Sequence, residues 1–421
     1  MNRPSSESGH PGAGEPFVLP LAALGRESLP VAGGKAANLG VALAAGLPVP
    51  EGFCVTTSAY TAAAEDSPAL HAVADELAAT PPGETRRLVE LAGRAREALG
   101  VAAVPKAVAR VVGDAYRELG VAVPVSVRSS ATAEDLPSAS FAGQHDTYLN
   151  VVGEEAVVDA VRRCWVSLWT DRAVAYRAAN GLDQRSVRMA VVVQRMVEVR
   201  AAGVMFTAHP LRVRRGQAVI EASPGLGEAV VSGTVSTDHF VVDVATGDVL
   251  ERAIAHKTAA VVPAPGGGVR QVTLTEAEAA APCLDDAHLR RLAALAGRIE
   301  ATYAGAPQDT EFVLDPEGQL WLLQARPITT RAAHAPATGS PGAAVDVRMD
   351  APADMPWEPP IPGSTWVRRQ VVEHMPGPLS PLFEEVYLRQ GLERSYHQLV
   401  GMFMGSGFRV EEFIDPPFFA T

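Results

Sequence analysis

The chain contains the run Val127-Arg128-Ser129-Ser130-Ala131-Thr132-Ala133-Glu134-Asp135-Leu136-Pro137, which follows directly on a predicted strand over Val123–Val127. An arginine followed by hydroxyl side chains and loop N–H groups has the donors that hold phosphate oxygens. Charged hydrogen bonds of this kind are each worth about 1.5–3 kcal/mol when they are shielded from water. The alternative is a solvated, serine-rich turn, which these residues by themselves favour. An anion site at Arg128 therefore depends on what other segments of the chain supply.

A second possible anion site lies upstream, where Gly33-Gly34-Lys35 opens a predicted helix that runs to Ala45 and is capped by Gly46. The motif is not a Walker phosphate loop, because an earlier glycine is absent and Ala36 stands where Ser or Thr would hold magnesium. Lys35 is one of only three lysines among 36 basic residues, which slightly favours a chemical role. A phosphate cradle and a glycine-rich helix start with a surface lysine are equally compatible with this motif.

Two pairs of polar residues mark a predicted hairpin near the end of this region. Asp309 and Glu311 share one face of the first strand, and Gln324 and Arg326 share one face of the second. The pairs lie together if the register is regular, whereas a bulge at Gly318 would shift the register by one residue and separate them. A neutral amide among charges favours a magnesium site beside a phosphate, and a salt-bridged hairpin face is the alternative.

Composition limits the classes of protein to which the chain can belong. Its 421 residues suit two or three domains, and its formal net charge of −12 makes it a poor general binder of nucleic acid. No segment approaches the ~20 apolar residues of a membrane helix. The N-terminus lacks the apolar core of a signal peptide, and the three cysteines include no Cys-x-x-Cys pair. These features predict a cytoplasmic protein without nucleic-acid or membrane partners.

The hydrophobic pattern predicts an α+β protein, with helices dominating first and strands afterwards. The predicted helices beyond the first are Ser58–Leu77, Gly83–Ala98, Pro105–Leu119, Glu154–Asn180 and Asp285–Tyr303. The predicted strands after the fourth of these are Met189–Met196, Ala202–Phe206, Ala218–Ala222, His239–Val242, Thr310–Leu314 and Leu320–Gln324.

The same pattern predicts how the chain is divided. We expect a disordered tail over residues 1–16, two lobes over 17–185 and 186–330, a linker over 331–360, and the incomplete start of another domain over 361–421. Two lobes of this size imply a cleft between them, which is where ligands usually bind.

Several runs of sequence together carry a family resemblance. They are Gly33–Leu39, Val127–Pro137 with its continuation Ala139–Gln144, Gln194–Val197, Gly203–Thr207 and Leu323–Thr330. In these runs the chain resembles the nucleotide-binding domain of phosphoenolpyruvate synthase, pyruvate phosphate dikinase and rifampicin phosphotransferase. The resemblance covers Phe17 to Thr330, and Ala222–Gly233 with Pro307–Glu311 make the rifampicin phosphotransferase branch the nearest.

The resemblance implies an ATP-grasp fold, in which two lobes hold ATP and magnesium between them. The positions that match the family's site fall into four groups: Lys35, Arg128 and Arg326 at the phosphates; Gly143 and Thr147 in the loop that covers them; Gln194 near the adenine end; and Glu311 and Gln324 at magnesium, with Asp309 close by.

The resemblance also implies a dikinase-type reaction. ATP is cleaved to AMP and phosphate, and the β-phosphoryl passes to a histidine on a separate swivelling domain. From there it passes to a small-molecule acceptor, either a rifampicin-like antibiotic hydroxyl or pyruvate. None of the ten histidines lies in a Gly/Thr/Ser-rich context suited to that role, so this chain alone is expected to be incomplete. A non-catalytic nucleotide-binding module and a pyruvate or glucan dikinase branch are the alternatives.

Overall fold

The computed structural model describes residues 15–131, 147–208 and 215–328, together with the backbone of 135–136 and 139–140. The chain divides into two compact units, Met1–Ala335 and Pro336–Thr421, and all of the described residues belong to the first. The predictions for Gly143, for nearly all of the tail, for the linker and for the C-terminal region therefore lie outside the described residues.

The first part of the chain forms a five-stranded antiparallel sheet and most of the helices. Its elements are β1 (Val18–Pro20), α1 (Leu29–Ala44), β2 (Gly52–Val55), α2 (Thr57–Glu65), α3 (Pro68–Ala79), α4 (Thr85–Val101), α5 (Lys106–Leu119), β3 (Val125–Ala131), β4 (Asp135–Leu136), β5 (Ala139–Ser140), β6 (Thr147–Val151), α6 (Glu154–Ser167), α7 (Asp171–Ala179) and β7 (Met189–Arg195). The strand order in this first sheet is β1-β2-β7-β3-β6, and β4 pairs only with β5.

The second part forms a six-stranded antiparallel sheet with a long helix against it. Its elements are β8 (Ala201–Phe206), β9 (Gln217–Pro224), α8 (Glu228–Val231), β10 (Asp238–Asp243), β11 (Val249–Ala253), β12 (Ala259–Pro263), β13 (Val269–Thr273), α9 (Glu276–Ala280), α10 (Asp286–Thr302), β14 (Gln308–Leu314) and β15 (Leu320–Pro327). The strand order in this second sheet is β11-β10-β9-β8-β14-β15, and β12 and β13 form a separate hairpin. Antiparallel sheets with helices packed on them confirm the predicted α+β class.

Strand β7 explains how the layers are stacked. Its residues alternate between two cores: Val191 and Val193 pack with the residues of α2–α7, whereas Ala190 and Val192 pack with α1, α10 and the second sheet. A strand that is buried on both faces is apolar throughout, which is why Met189–Val193 shows no polar alternation. The first sheet therefore turns one face to its own helices and the other toward α1 and the second sheet.

Helix α1 ends as the sequence predicts. Gly46 has φ +69°, its N–H donates to the Leu43 carbonyl oxygen at 2.9 Å, and the N–H of Leu47 donates to the Ala42 carbonyl oxygen at 3.0 Å. This pair of bonds is a Schellman cap, which a glycine in the left-handed region allows. Among the described helices none has the length and apolar character needed to cross a membrane.

Two predicted helices are each split in the structure. The segment Ser58–Leu77 breaks between α2 and α3, where Ser67 accepts from the Leu70 N–H and Pro68 begins the new helix. Proline lacks the N–H needed inside a helix but suits its first turn, and serine is a favoured cap. The segment Glu154–Asn180 breaks before α7, which Thr170 caps in the same way.

The strands differ from prediction in two ways that matter for the site. Strand β3 extends to Ala131, so Arg128, predicted at the end of a strand, lies within it: β6 and β7 supply its ladder partners, and β7 continues to pair as far as Ala131. Strand β7 lies in the centre of the first sheet, although the predicted boundary at residue 185 placed it in the second lobe. Antiparallel partners distant in sequence decide its position, and local pattern does not reveal them. The sequence analysis does not predict β11 and β13, which are largely exposed, or β12, which is half-buried.

Candidate functional site

Lys35 follows a break in α1. Gly33 has φ +70° and ψ 171°, far from helical values. Ser130 of β3 bridges the break, since its hydroxyl donates to the Ala32 carbonyl oxygen at 2.8 Å and accepts from the Ala36 N–H at 3.2 Å. A Cβ on Gly33 would lie 2.1 Å from the Ser130 carbonyl oxygen, so this close approach requires glycine. The segment that carries Lys35 is thus fixed against β3.

Arg128 lies on β3, two residues before Ser130, and only 6% of it is exposed. Its Nη2 donates to Gln194 Oε1 at 2.6 Å and to the carbonyl oxygen of Leu323 at 2.9 Å. Its Nη1 lies 3.8 Å from Glu311 Oε2. The guanidinium therefore joins the first sheet to the β14–β15 hairpin of the second. A solvated serine-rich turn does not form, because Ser130 is fully buried within β3.

The β14–β15 hairpin brings its polar residues onto one face. Glu311 lies directly opposite Gln324, and Asp309 lies directly opposite Arg326, so the two pairs share a face as a regular register predicts. The register does shift, but the shift falls between Glu311 and Phe312, where Leu323 is the extra residue. A bulge at this position redirects a backbone carbonyl out of the regular ladder. The Leu323 carbonyl is the one that accepts from Arg128.

The two halves of this polar face differ in their partners. Arg326 donates from Nε and Nη2 to Asp309 Oδ2, at 2.9 and 2.7 Å, so this half is a salt-bridged pair. Glu311 instead faces Arg128 of the first sheet, and its side chain is 26% exposed. The carboxylate of Glu311 and the amide of Gln324 thus remain on the side of the hairpin that is turned to the first sheet.

The polar face of the hairpin offers only part of the coordination shell of a metal ion. Within the described ranges, no group of three or more His, Cys, Asp or Glu side chains could hold a metal by itself. Magnesium is usually bound by one or two carboxylates together with water and substrate phosphates, and not by a complete protein cage. Glu311 and Gln324, directly opposite each other on one face, supply oxygen ligands of the type that fits an ion shared with a phosphate.

Two further predicted site residues, Gln194 and Thr147, lie beside Arg128. Gln194 on β7 is 1% exposed, and its Nε2 donates to the Pro50 carbonyl oxygen at 3.0 Å. Thr147, the first residue of β6, pairs with Arg128 in the ladder. Gly143 belongs to the preceding segment and lies outside the described residues.

Sequence reasoning missed two groups that shape this site. Ser130 stands inside the quoted run, but its contact with the α1 break has no local signature. The glycine at Gly33 was the available sign that another backbone comes close. The role of the Leu323 carbonyl oxygen could not be predicted from the sequence, because no residue type at this position indicates that a bulge frees this oxygen from the ladder.

Comparison with known proteins gives a consistent result. The family model described as pyruvate phosphate dikinase, AMP/ATP-binding domain matches residues 29–341. The chain is 45% identical to a rifampicin phosphotransferase of Streptomyces sviceus, over 75% of this chain and 36% of that protein. It is 38% identical to the phosphoenolpyruvate synthase of Pyrococcus furiosus, over 75% of this chain and 44% of that protein. The chain therefore spans less than half the length of these relatives.

Proposed function

The chain belongs to the family of the pyruvate phosphate dikinase AMP/ATP-binding domain, and we propose that it binds ATP with magnesium between its two main sheets, as the two lobes of an ATP-grasp fold. The observation that carries this proposal is the position of Arg128. Its guanidinium belongs to the first sheet, yet it lies 3.8 Å from Glu311 and donates to Leu323 on the second. A cation of the first sheet and a carboxylate of the second therefore face each other.

Each side chain has a role that follows from its chemistry. The proposed contacts are as follows: Lys35, Arg128 and Arg326 neutralise the phosphates; Glu311 and Gln324 hold magnesium, with Asp309 beside them; Gly143 and Thr147 belong to the loop that covers the phosphates. Magnesium, when bound, supplies the charge that balances the triphosphate. Arg128 and Lys35 add positive charge in a place where partial burial strengthens it.

The proposed activity is that of the ATP-binding half of a dikinase-type phosphotransferase. ATP is cleaved to AMP and phosphate, and the β-phosphoryl passes to a histidine on a separate domain and then to a small-molecule acceptor. The names of the relatives offer a rifampicin-like hydroxyl or pyruvate as that acceptor. In such chemistry the protein contributes mainly placement and charge neutralisation, which Arg128, Lys35 and the β14–β15 hairpin are arranged to give.

Thermal unfolding of the full 421-residue chain tests the binding step. A ligand at 100 times its dissociation constant stabilises the folded state by about 2.7 kcal/mol, so millimolar ATP with magnesium should raise Tm measurably. Lys35→Ala and Glu311→Ala should each abolish the rise. The first removes a cation proposed to bind the phosphates, and the second removes a carboxylate proposed to hold magnesium. Lys106→Ala is the matched control, since Lys106 begins α5 in the helical layer away from the two-sheet contact.

Two measurements distinguish a wrong binding site from a site that binds ATP without catalysis. If the unsubstituted chain shows no rise in Tm, the proposed site is wrong. If it binds ATP, mixing it with a phosphohistidine domain from a relative should produce AMP. Binding without AMP in that mixture favours the alternative, a non-catalytic nucleotide-binding module.

A further inference from the structure

Gln194 lies in surroundings that do not suit contact with a nucleotide base. The resemblance places it near the adenine end of ATP, but its side chain is 1% exposed. Both ends of its amide are engaged by the protein: Oε1 accepts from Arg128 at 2.6 Å, and Nε2 donates to the Pro50 carbonyl oxygen at 3.0 Å. A base would have to displace one of these buried bonds to be recognised by this amide.

We infer that Gln194 is a positioning residue for Arg128 and not a base-recognition residue; the inference rests on the proposed nucleotide site. Gln194 lies directly opposite Ser126 on the neighbouring strand, and Arg128 is two residues further along β3 on the same face. The two side chains are therefore diagonal neighbours, within reach of each other. The Pro50 carbonyl accepts only from the amide nitrogen, so it turns the amide oxygen of Gln194 toward Arg128.

The bonds at Arg128 show what this positioning achieves. Nη2 carries two hydrogens, and it donates to two acceptors, Gln194 Oε1 in the first sheet and the Leu323 carbonyl in the second. With Nη2 held in this way, the planar guanidinium directs Nη1 toward Glu311, at 3.8 Å. Loss of Gln194 removes one of the two acceptors of Nη2 and so loosens this orientation. The grip on phosphate then weakens whatever base the ligand carries.

The test compares ligands that share phosphates and differ in the base. Gln194→Ala and Gln194→Glu are made in the full chain, and calorimetry measures the dissociation constants of Mg·ATP, Mg·GTP and Mg·tripolyphosphate. The glutamate variant keeps the size of the side chain but cannot donate to Pro50 and neutralises Arg128. Positioning predicts that all three ligands bind about tenfold more weakly or worse, each by a similar factor.

A base-recognition role predicts a different pattern. ATP binding would then weaken while tripolyphosphate binding stays unchanged, and the ratio of ATP to GTP affinity would collapse. That result, or unchanged affinity for every ligand in both variants, overturns the inference. Failure of the unsubstituted chain to bind any of the three ligands would instead overturn the proposed nucleotide site, so the two failures are distinguishable.

The chain offers a matched control in a second buried arginine–glutamine pair. Gln184 accepts from Arg177 Nε at 2.7 Å and donates to the Val174 carbonyl oxygen at 3.0 Å, in the helical layer. Gln184→Ala should lower Tm in the same way as Gln194→Ala but leave all three dissociation constants unchanged. A further check is non-additivity: in an Arg128→Ala background, Gln194→Ala should cause no further loss of affinity.

Discussion

Gly33→Ala is the substitution that most directly tests how the site is assembled. The residue stands at the break in α1, with φ +70° and ψ 171°, a backbone conformation that is essentially restricted to glycine. Gly46, at the other end of the same helix, also has positive φ, at +69°. The two glycines differ in their surroundings: a Cβ on Gly46 meets nothing within 4 Å, whereas a Cβ on Gly33 would lie 2.1 Å from the Ser130 carbonyl oxygen.

The structure gives the size of each effect. Gly46→Ala adds only backbone strain, about 1–2 kcal/mol. Gly33→Ala adds comparable or greater strain, about 1–3 kcal/mol. It also forces β3 away from α1, because ordinary contact begins at 3.4 Å. That movement breaks the two hydrogen bonds of the Ser130 hydroxyl, each worth about 1 kcal/mol. The expected destabilisation is therefore about 3–5 kcal/mol for Gly33→Ala against about 1–2 kcal/mol for Gly46→Ala.

Urea unfolding of the full chain measures both losses, and the rise in Tm with Mg·ATP measures the site. Gly46→Ala should keep the rise, and Gly33→Ala should lose most of it even under conditions where the variant is folded, because the segment that carries Lys35 is no longer fixed against β3, which carries Arg128. Equal destabilisation by the two substitutions, with the ATP response intact in both, would refute the assembly described here.

Two further predictions concern the second part of the fold. Lys257 Nζ lies 2.5 Å from Asp238 Oδ1, and both side chains are completely buried, so Lys257→Met should cost about 3–5 kcal/mol in urea unfolding by leaving a buried carboxylate uncompensated. Adding Asp238→Asn should recover much of that loss, and strictly additive losses would contradict the pairing. Asp285 caps α10, and the His288 backbone N–H lowers the pKa of its carboxyl. Its ionised form therefore stabilises the fold above the unfolded pKa of about 4, and the stability is lost as pH falls through the lower folded pKa. Asp285→Asn keeps the cap without the carboxylate, so urea unfolding of this variant should lack the loss of stability that the parent shows as pH falls below about 4.

Residue type and spacing were sufficient for much of the fold and for the arrangement of the polar pairs on the β14–β15 hairpin. The Gly46 cap, helix α10 and the strands of the second sheet near the site follow from local pattern, since each depends on neighbours within a few residues. The alternation of Asp309 with Glu311 and of Gln324 with Arg326 placed each pair on one face, and the register confirms that both pairs share that face.

Local sequence pattern does not predict the end of a strand or its place in a sheet where these depend on pairing with segments far away in the chain. The sequence predicts Arg128 at the end of a strand because serines follow it, but pairing with β7 extends β3 through Ser129 and Ser130 to Ala131. Strand β7 was placed with the strands that follow it in sequence, whereas its partners are β2 and β3. Both errors come from antiparallel pairing between segments far apart in the chain, which no short window of sequence contains.

The burial of Arg128 bears on whether the contact between the sheets exists for stability or for binding. A buried charge is expensive to desolvate, and replacing buried ionic groups by apolar ones often leaves a protein equally stable or more so. Arg128 is held by one amide, one bulge carbonyl and a carboxylate at 3.8 Å. A contact of this kind is therefore expected to contribute little to the stability of the fold. The same arrangement suits the binding of a polyanion. The guanidinium is already oriented toward the second sheet and partly desolvated, so it does not have to reorganise when a phosphate binds. Replacing Arg128 and Gln194 together by methionine separates the two roles: because both polar side chains are removed, the free energy of unfolding should stay within about 1–2 kcal/mol of the parent or rise above it, and yet the response to Mg·ATP should be lost. A severe loss of stability without ligand would show that the contact is mainly structural.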